Sequence, residues 1–144
     1  MLTVEESIVI NKPRMDVWEF MTDPDNVTVY SSNIVEYELV SGEKQEVGRV
    51  CRGAAKVAGR RLEFTDELVD SEPGRHGKLA STDATIPYTL SLHYQDEGDG
   101  TKLTWRQEVE SLKGLFKFAD PIVLKLYARD VRSNLEKAKT ILEN

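Results

Sequence analysis

The sequence predicts an α+β fold: a seven-stranded antiparallel sheet wrapped around a long C-terminal helix, with two short helices between strands 1 and 2. Three observations predict it. From Asn33 to Glu110, strand-like runs follow one another with only turn signals between them, which makes an antiparallel meander. Each run has one apolar and one polar side at a period of two, the pattern of a sheet covered on one face. The one long helical pattern comes last, where Val123, Tyr127, Val131, Leu135, Ala138 and Leu142 recur at three- and four-residue steps.

The elements follow in order. Residues 2–10 alternate loosely and hold Thr3, Val4, Ile8, Val9 and Ile10, β-branched types that favour a strand. Asn11 and Pro13 end it. A short helix is expected over Arg14–Thr22, with Val17, Trp18 and Met21 on its inner side. Asp23 and Pro24 break it. A second short helix or turn covers Asp25–Ser31, with Val27 and Tyr30 inward.

Six strands are then expected, over Ile34–Val40, Val47–Val57, Arg60–Val69, Lys78–Asp83, Ile86–Gln95 and Thr101–Glu110. Ser41-Gly42-Glu43, Ala58-Gly59, Glu72-Pro73-Gly74 and the loop Asp96–Gly100 supply the turns. The dry side is assigned Val35, Tyr37 and Leu39, then Cys51, Ala55 and Val57, then Leu62, Phe64 and Leu68. Tyr88, Leu90, Leu92 and Tyr94 continue it, and Leu103, Trp105 and Val109 complete it.

In the last helix, Asp120 is placed to cap the first turn and Pro121 suits the first helical position, where its missing N–H costs nothing. Lys125, Arg129, Arg132, Glu136, Lys137 and Lys139 form the wet face. Between Leu115 and Ala128 the apolar band nearly encircles the chain, through Leu115, Phe116, Phe118, Ala119, Ile122 and Leu126. Such a stretch is buried all round or faces something apolar other than its own core. A twisted seven-stranded sheet is also wider than one helix. Where side chains do not fill the difference, a cavity remains.

Composition narrows the function. A chain of 144 residues with 40% hydrophobic and 31% charged residues reads as one domain, 1–144, with a real core. The net charge of -6 argues against nucleic acid or an anionic membrane as main partner. Basic residues do gather at Arg49, Arg52, Lys56, Arg60 and Arg61, a run read as a solvated strand face or hairpin tip. The first ten residues lack the basic region of a signal peptide, and no apolar run reaches membrane-spanning length, so a cytoplasmic protein is expected. Cys51 is the only cysteine, which rules out an internal disulfide and fits a small buried hydrophobe.

The order strand, two short helices, six strands, long helix resembles the helix-grip fold of the START/Bet v 1-like (SRPBCC) superfamily. The similarity is greatest to its polyketide cyclase/dehydrase and lipid-transport branch. It is carried by INKPRMDVWEFMTDPDN (Ile10–Asn26), VGRV (Val47–Val50), AGRRLEF (Ala58–Phe64), LVDSEPGR (Leu68–Arg75), GTKLTWRQE (Gly100–Glu108) and NLEKAKTILE (Asn134–Glu143). It spans essentially the whole chain. Tyr30 stands where these proteins often have a second tryptophan. The resemblance implies a hydrophobic cavity between sheet and helix. It implies no catalytic motif, since carriers, aromatase/cyclases, hydrolases and co-chaperones share the fold.

The residues themselves carry no nucleophile elbow, no HExxH and no phosphate-binding loop. His76 falls in an expected turn and His93 on the wet side of its strand, so no metal site and no cofactor are expected. Polar residues on the dry face are the better candidates, because burying an unpaired polar group costs kilocalories. Asp66, Tyr37 and Gln107 lie between apolar neighbours, with Ser81 or Asp83 nearby, and Tyr88, Tyr94 and Tyr127 add hydroxyls. Asp66, Tyr88 and Gln107 are the candidates for catalysis. Asp66 is the first suspect for acid–base work, since an apolar pocket raises a carboxyl's pKa.

The expected ligand wall takes Tyr37, Phe64, Tyr88, Leu90, Leu92, Trp105 and Gln107 from the sheet. From the helix it takes Ile122, Val123, Leu126 and Tyr127. Residues 28–33 and the turn Asp83–Pro87 are expected near its mouth. Three functions stay open: a binder of a small hydrophobic or aromatic ligand, a cyclase/dehydrase-type enzyme, and a protein-interaction or stress-response module. The chain is expected to be a monomer or weak homodimer.

Overall fold

The computed structural model describes residues 1–57, 59–110 and 120–144. The element order is β1 (Leu2–Ile10), α1 (Arg14–Thr22), α2 (Pro24–Tyr30), β2 (Ile34–Ser41), β3 (Val50–Val57), β4 (Arg60–Glu72), β5 (His76–Ala84), β6 (Tyr88–Glu97), β7 (Gly100–Val109) and α3 (Asp120–Glu143). All seven strands form one antiparallel sheet in the order β1-β7-β6-β5-β4-β3-β2. The α+β helix-grip fold read from the sequence is the fold observed. Ala58, Leu115, Phe116, Phe118 and Ala119, and the side chain of Asp120, lie outside the described residues.

Local chemistry explains most of the boundaries. The Asp23 carboxylate accepts the Asp25 amide proton at 3.0 Å, which caps α2 and lets it start at Pro24. The β4–β5 hairpin is tighter than expected. Glu72 pairs with His76 across it, with Gly74 at the tip in the left-handed region that favours glycine. His76 therefore starts β5 rather than sitting in a turn, and it faces His93 across the β5–β6 ladder. β3 begins at Val50, not Val47, and β6 at Tyr88, not Ile86.

β2 departs furthest from a simple alternation. Its pairing with β3 shifts register between Ile34 and Glu36 and again between Leu39 and Ser41. The first bulge turns Val35 outward, to 40% exposure, and Leu39, in register with Tyr37 on the edge strand, is 41% exposed, although both were assigned to the dry side. Tyr37, between the two shifts, remains half-buried on the inner face.

The packed core lies toward the β1–β7–β6 side. Ile10, Leu103, Val131 and Ala138 are completely buried there, and Leu135 almost so. Each such side chain stabilises the fold by roughly 1.5–3 kcal/mol through apolar burial. Trp18, Tyr30, Leu92, Tyr94 and Trp105 join the same cluster. α3 lies closest to β1, so it covers that edge of the sheet and leaves the β2–β5 part with less above it. Lys139 Nζ donates to the Val9 carbonyl at 2.7 Å, and the Asn11 amide donates to the Glu143 carboxylate at 2.9 Å, locking the far end of α3 to β1. No helix among the described residues is long and apolar enough to cross a membrane.

Candidate functional site

Where α3 no longer fills the sheet's concave face, a cavity of about 150 Å³ remains. Phe64, Leu79, Leu90 and Trp105 form much of its sheet wall, and Val123, Leu124 and Tyr127 cover it from α3. Tyr30 at the end of α2 lines it with Ser31 and Asn33 just beyond, as do Ala84 at the end of β5 and Thr85 and Ile86 of the β5–β6 connection. A void of that size lined by apolar side chains admits a molecule about as large as benzene.

Besides Ser31, Asn33, Glu63, Thr85 and Asn134, polar groups enter this wall at two hydrogen-bonded corners. At the first, Asp66 on β4 is 2% exposed and accepts two phenol protons. Tyr37 Oη donates to one carboxylate oxygen at 2.8 Å and Tyr88 Oη to the other at 2.7 Å. Backbone geometry builds this trio. Tyr37 and Phe64 both pair with Gly53 of β3, and a Cβ there would lie 2.5 Å from the Glu36 carbonyl and 2.8 Å from the Phe64 ring. Without a side chain at Gly53, the two rings approach to 6.0 Å across it, which aims the Tyr37 hydroxyl at Asp66. A register shift opposite Asp66 is absorbed on β5, where Ser81 rather than Thr82 becomes its partner, so Asp66 stays inward.

Arg49 completes the corner. It is 4% exposed, and its Nη2 donates to Tyr37 Oη at 3.2 Å. Its Nη1 donates to the carbonyls of Thr22 at 2.9 Å and Lys44 at 2.6 Å. The expected solvated basic run is corrected here, because this member points inward. Its neighbours Arg52 and Arg61 do face solvent, paired with Glu38 and Glu36. Burial pushes the Asp66 carboxyl above its ordinary range, while the Tyr88 and Tyr37 hydrogen bonds and the Arg49 charge pull it back. Burial, with Asp66 next to them, drives both phenols far above their usual range, so each keeps its proton and acts as a donor.

The second corner is Gln107 on β7. Its Oε1 accepts from Trp105 Nε1 at 3.1 Å and from Tyr127 Oη at 2.6 Å. Burial raises the Tyr127 pKa, which keeps that hydroxyl a donor as well. Asn134, 3% exposed on α3, accepts from the Ser32 amide at 3.2 Å and donates to Ser31 Oγ at 3.4 Å, tying the chain after α2 to the helix beside the cavity.

Of the sequence-selected residues, Tyr37, Phe64, Asp66, Tyr88, Leu90, Trp105, Gln107, Val123 and Tyr127 line one cavity. Leu92 does not. It shares a strand face with Leu90 but lies two residues further along β6, in the packed core. Ile122 and Leu126 are also excluded, because each sits one position before the buried Val123 and Tyr127 and turns outward, to 52% and 41% exposure. Sequence reasoning missed Arg49 and Gly53. A glycine inside a strand is itself a signal of close approach, whereas nothing in the local alternation marks Arg49 as buried.

Two other features hold less. Cys51 is fully buried and its thiol is pushed up by burial. His76 contacts Asp70 at 3.3 Å and Glu72 at 3.1 Å on the outer face. Among the described residues, no group of three or more His, Cys, Asp and Glu is arranged to hold a metal ion.

Comparison with known proteins agrees with this architecture. TTHA0849 from Thermus thermophilus superposes with a TM-score of 0.83 at 19% identity, over 98% of this chain and 97% of that one. The Zhui aromatase/cyclase from Streptomyces sp. R1128 gives 0.77 at 16% identity, over 99% and 93%. Ginseng major latex-like protein 151 from Panax ginseng gives 0.74 at 19% identity, over 96% and 95%. At such identities the likeness is one of fold. No curated protein matches the chain. Residues 1–143 match the family described as polyketide cyclase/dehydrase and lipid transport, and the chain belongs to that family.

Proposed function

We propose that the protein binds a small hydrophobic or aromatic molecule in the cavity between its sheet and α3. The observation that supports this most is the pairing of an apolar wall with a buried, fully hydrogen-bonded Tyr37–Asp66–Tyr88 corner. Apolar area supplies affinity and a few fixed polar groups supply orientation, the usual division in a ligand pocket. Titration with an environment-sensitive apolar fluorophore tests the reading. Saturable binding is expected in the wild type, and Leu90→Trp, which fills the space from the wall, abolishes it without lowering the melting temperature. Absence of any binding in the wild type would sink the idea.

A second reading, a cyclase/dehydrase-type enzyme in the same cavity, is favoured by Asp66 itself. It is a carboxyl with a raised pKa, held between two protonated phenols. Such a group can pass protons while the walls hold a reactive chain folded. Under this reading Asp66→Asn, Tyr88→Phe and Gln107→Leu each abolish turnover of a keto substrate small enough for the cavity and spare its binding. Unchanged turnover in all three removes it.

A further inference from the structure

The hydrogen bonds already made at the two polar corners leave a definite remainder, and that remainder describes a ligand. At the Asp66 corner both phenol protons are spoken for; Arg49 Nε has no partner among the described residues, but Arg49 does not line the cavity. Tyr88 has given its one proton to Asp66, and so has Tyr37, whose oxygen also receives the Arg49 proton. Lone pairs on Tyr88 Oη and Asp66 are what remain on the cavity side, so toward the cavity this corner accepts. Arg49 stands one hydrogen bond from the carboxylate, which compensates its charge. The corner thus gives an ionic ligand no uncompensated counter-charge.

At the Gln107 corner the reverse holds. Two donors, Trp105 Nε1 and Tyr127 Oη, converge on Oε1 and fix which end of the amide is oxygen. The Nε2 protons have no hydrogen-bond partner among the described residues, and Gln107 is 8% exposed and lines the cavity. The nitrogen is not among the fully buried side-chain atoms that lack a partner, so it is open toward the cavity, where a ligand carbonyl would give it an acceptor. The β6–β7 register pairs Leu90 with Gln107 and Tyr88 with Val109. Tyr88 and Gln107 are therefore diagonal neighbours on one face, with their backbones about 7–8 Å apart.

We infer that the cavity selects a neutral, single-ring aromatic bearing a hydroxyl donor for the Tyr88–Asp66 corner and a carbonyl acceptor for Gln107. The inference rests on the binding reading above and deepens it. The volume of about 150 Å³ matches a single ring, and the hydrogen-bond inventory sets the polarity at each end.

Isothermal titration calorimetry at pH 6.5 with 4-hydroxyacetophenone, acetophenone, 4-ethylphenol and 4-hydroxybenzoate tests it, alongside the apolar fluorophore. The first compound carries both groups. It is expected to bind about tenfold more tightly than acetophenone, which lacks the donor, and than 4-ethylphenol, which lacks the acceptor, since one net hydrogen bond is worth roughly that factor. The 4-hydroxybenzoate anion is expected to bind more weakly than any of them. Gln107→Glu keeps an acceptor for Trp105 and Tyr127 but removes the amide donor, so the advantage over 4-ethylphenol disappears while that over acetophenone stays. If the variant does not fold, the wild-type series decides alone. Equal affinity for the three neutral compounds overturns the inference and leaves the binding reading standing. Binding of the fluorophore with none of the ring compounds does the same. No binding by any of them, fluorophore included, overturns the binding reading and the inference together.

Discussion

The two ends of the sheet's concave face are built from the same strands and covered by the same helix, yet one is solid and the other hollow. Over β1, β7 and β6, α3 presents Val131, Leu135 and Ala138, which close on Ile10 and Leu103 with no space left. Toward β5, β4 and β3 it presents Val123, Leu124 and Tyr127, and the cavity lies beneath them. The larger share of hydrogen-bonded buried polar groups lies at the hollow end, although Thr101, Trp18 Nε1 and Tyr94 Oη are buried in the solid half. Asp66, Gln107 and the two tyrosines bonded to Asp66 all face the hollow end. A core that needs only stability fills with aliphatic groups. Polar groups carried at a buried site ask for another explanation, and a ligand provides one.

The largest effect expected from this division comes from Arg49→Met. It removes three hydrogen bonds from a buried guanidinium and leaves their acceptors unpaired, a loss of about 4 kcal/mol on the scale of hydrogen bonds to charged groups. Urea denaturation measures it, and a loss under about 1 kcal/mol, the size of a single ordinary hydrogen bond, would mean that the three bonds do not stabilise this corner. Next come paired truncations. Leu135→Ala in the solid half is expected to lose about 3 kcal/mol, and Leu90→Ala in the cavity wall about half that, because a side chain beside an existing void has fewer contacts to forfeit. Equal losses would erase the contrast between the halves.

A subtler effect concerns pH. Burial holds the Asp66 carboxyl above its ordinary 3.8, so just above that pH the folded chain keeps a proton the unfolded chain has released. Stability from this group therefore falls as pH climbs from 3.8 through the raised value and is constant beyond it. Asp66→Asn removes the titration. The stability of the wild type minus that of the variant should decline with rising pH over this interval in thermal melts from pH 3 to 8. A difference that grows instead would show that the tyrosine and arginine contacts outweigh desolvation. Smallest of all is Arg52→Ala on the outer face. Its pair with Glu38 is 66% and 63% exposed, so no change in melting temperature is expected at about 150 mM salt.

Much of this molecule is legible in the residues alone, and the exceptions have physical causes. A period of two is enough to find each strand and its dry side, so Phe64, Tyr88, Trp105 and Gln107 fall on the correct face. It does not say how far along a strand the packed core ends, which is why Leu90 and Leu92 look alike in sequence and part company in space. Period-two reasoning also fails where a bulge intervenes, as at Val35, and it does not show that Leu39 lies exposed on an edge strand. On α3 the stripe through Val123, Tyr127 and Val131 is correct. Ile122 and Leu126 mislead because an apolar residue one step off that stripe points to solvent. Arg49 is hidden for a different reason. Its partners are the carbonyls of Thr22 and Lys44 and the hydroxyl of Tyr37, and contacts between distant stretches leave no local pattern.

The pairing of β1 with β7 also bears on how the chain is made. Leu2 lies opposite Val109 and Ile10 opposite Thr101. A growing polypeptide thus holds its first strand unpaired until nearly the whole sheet has been made. The fastening of α3 to the same strand, through Lys139 and Glu143, comes later still. Contacts of such long sequence separation slow folding, and a strand waiting that long is an exposed edge that other chains can join. Glu5 and Glu6, the charges β1 carries near its middle, are placed where they discourage such pairing during that interval.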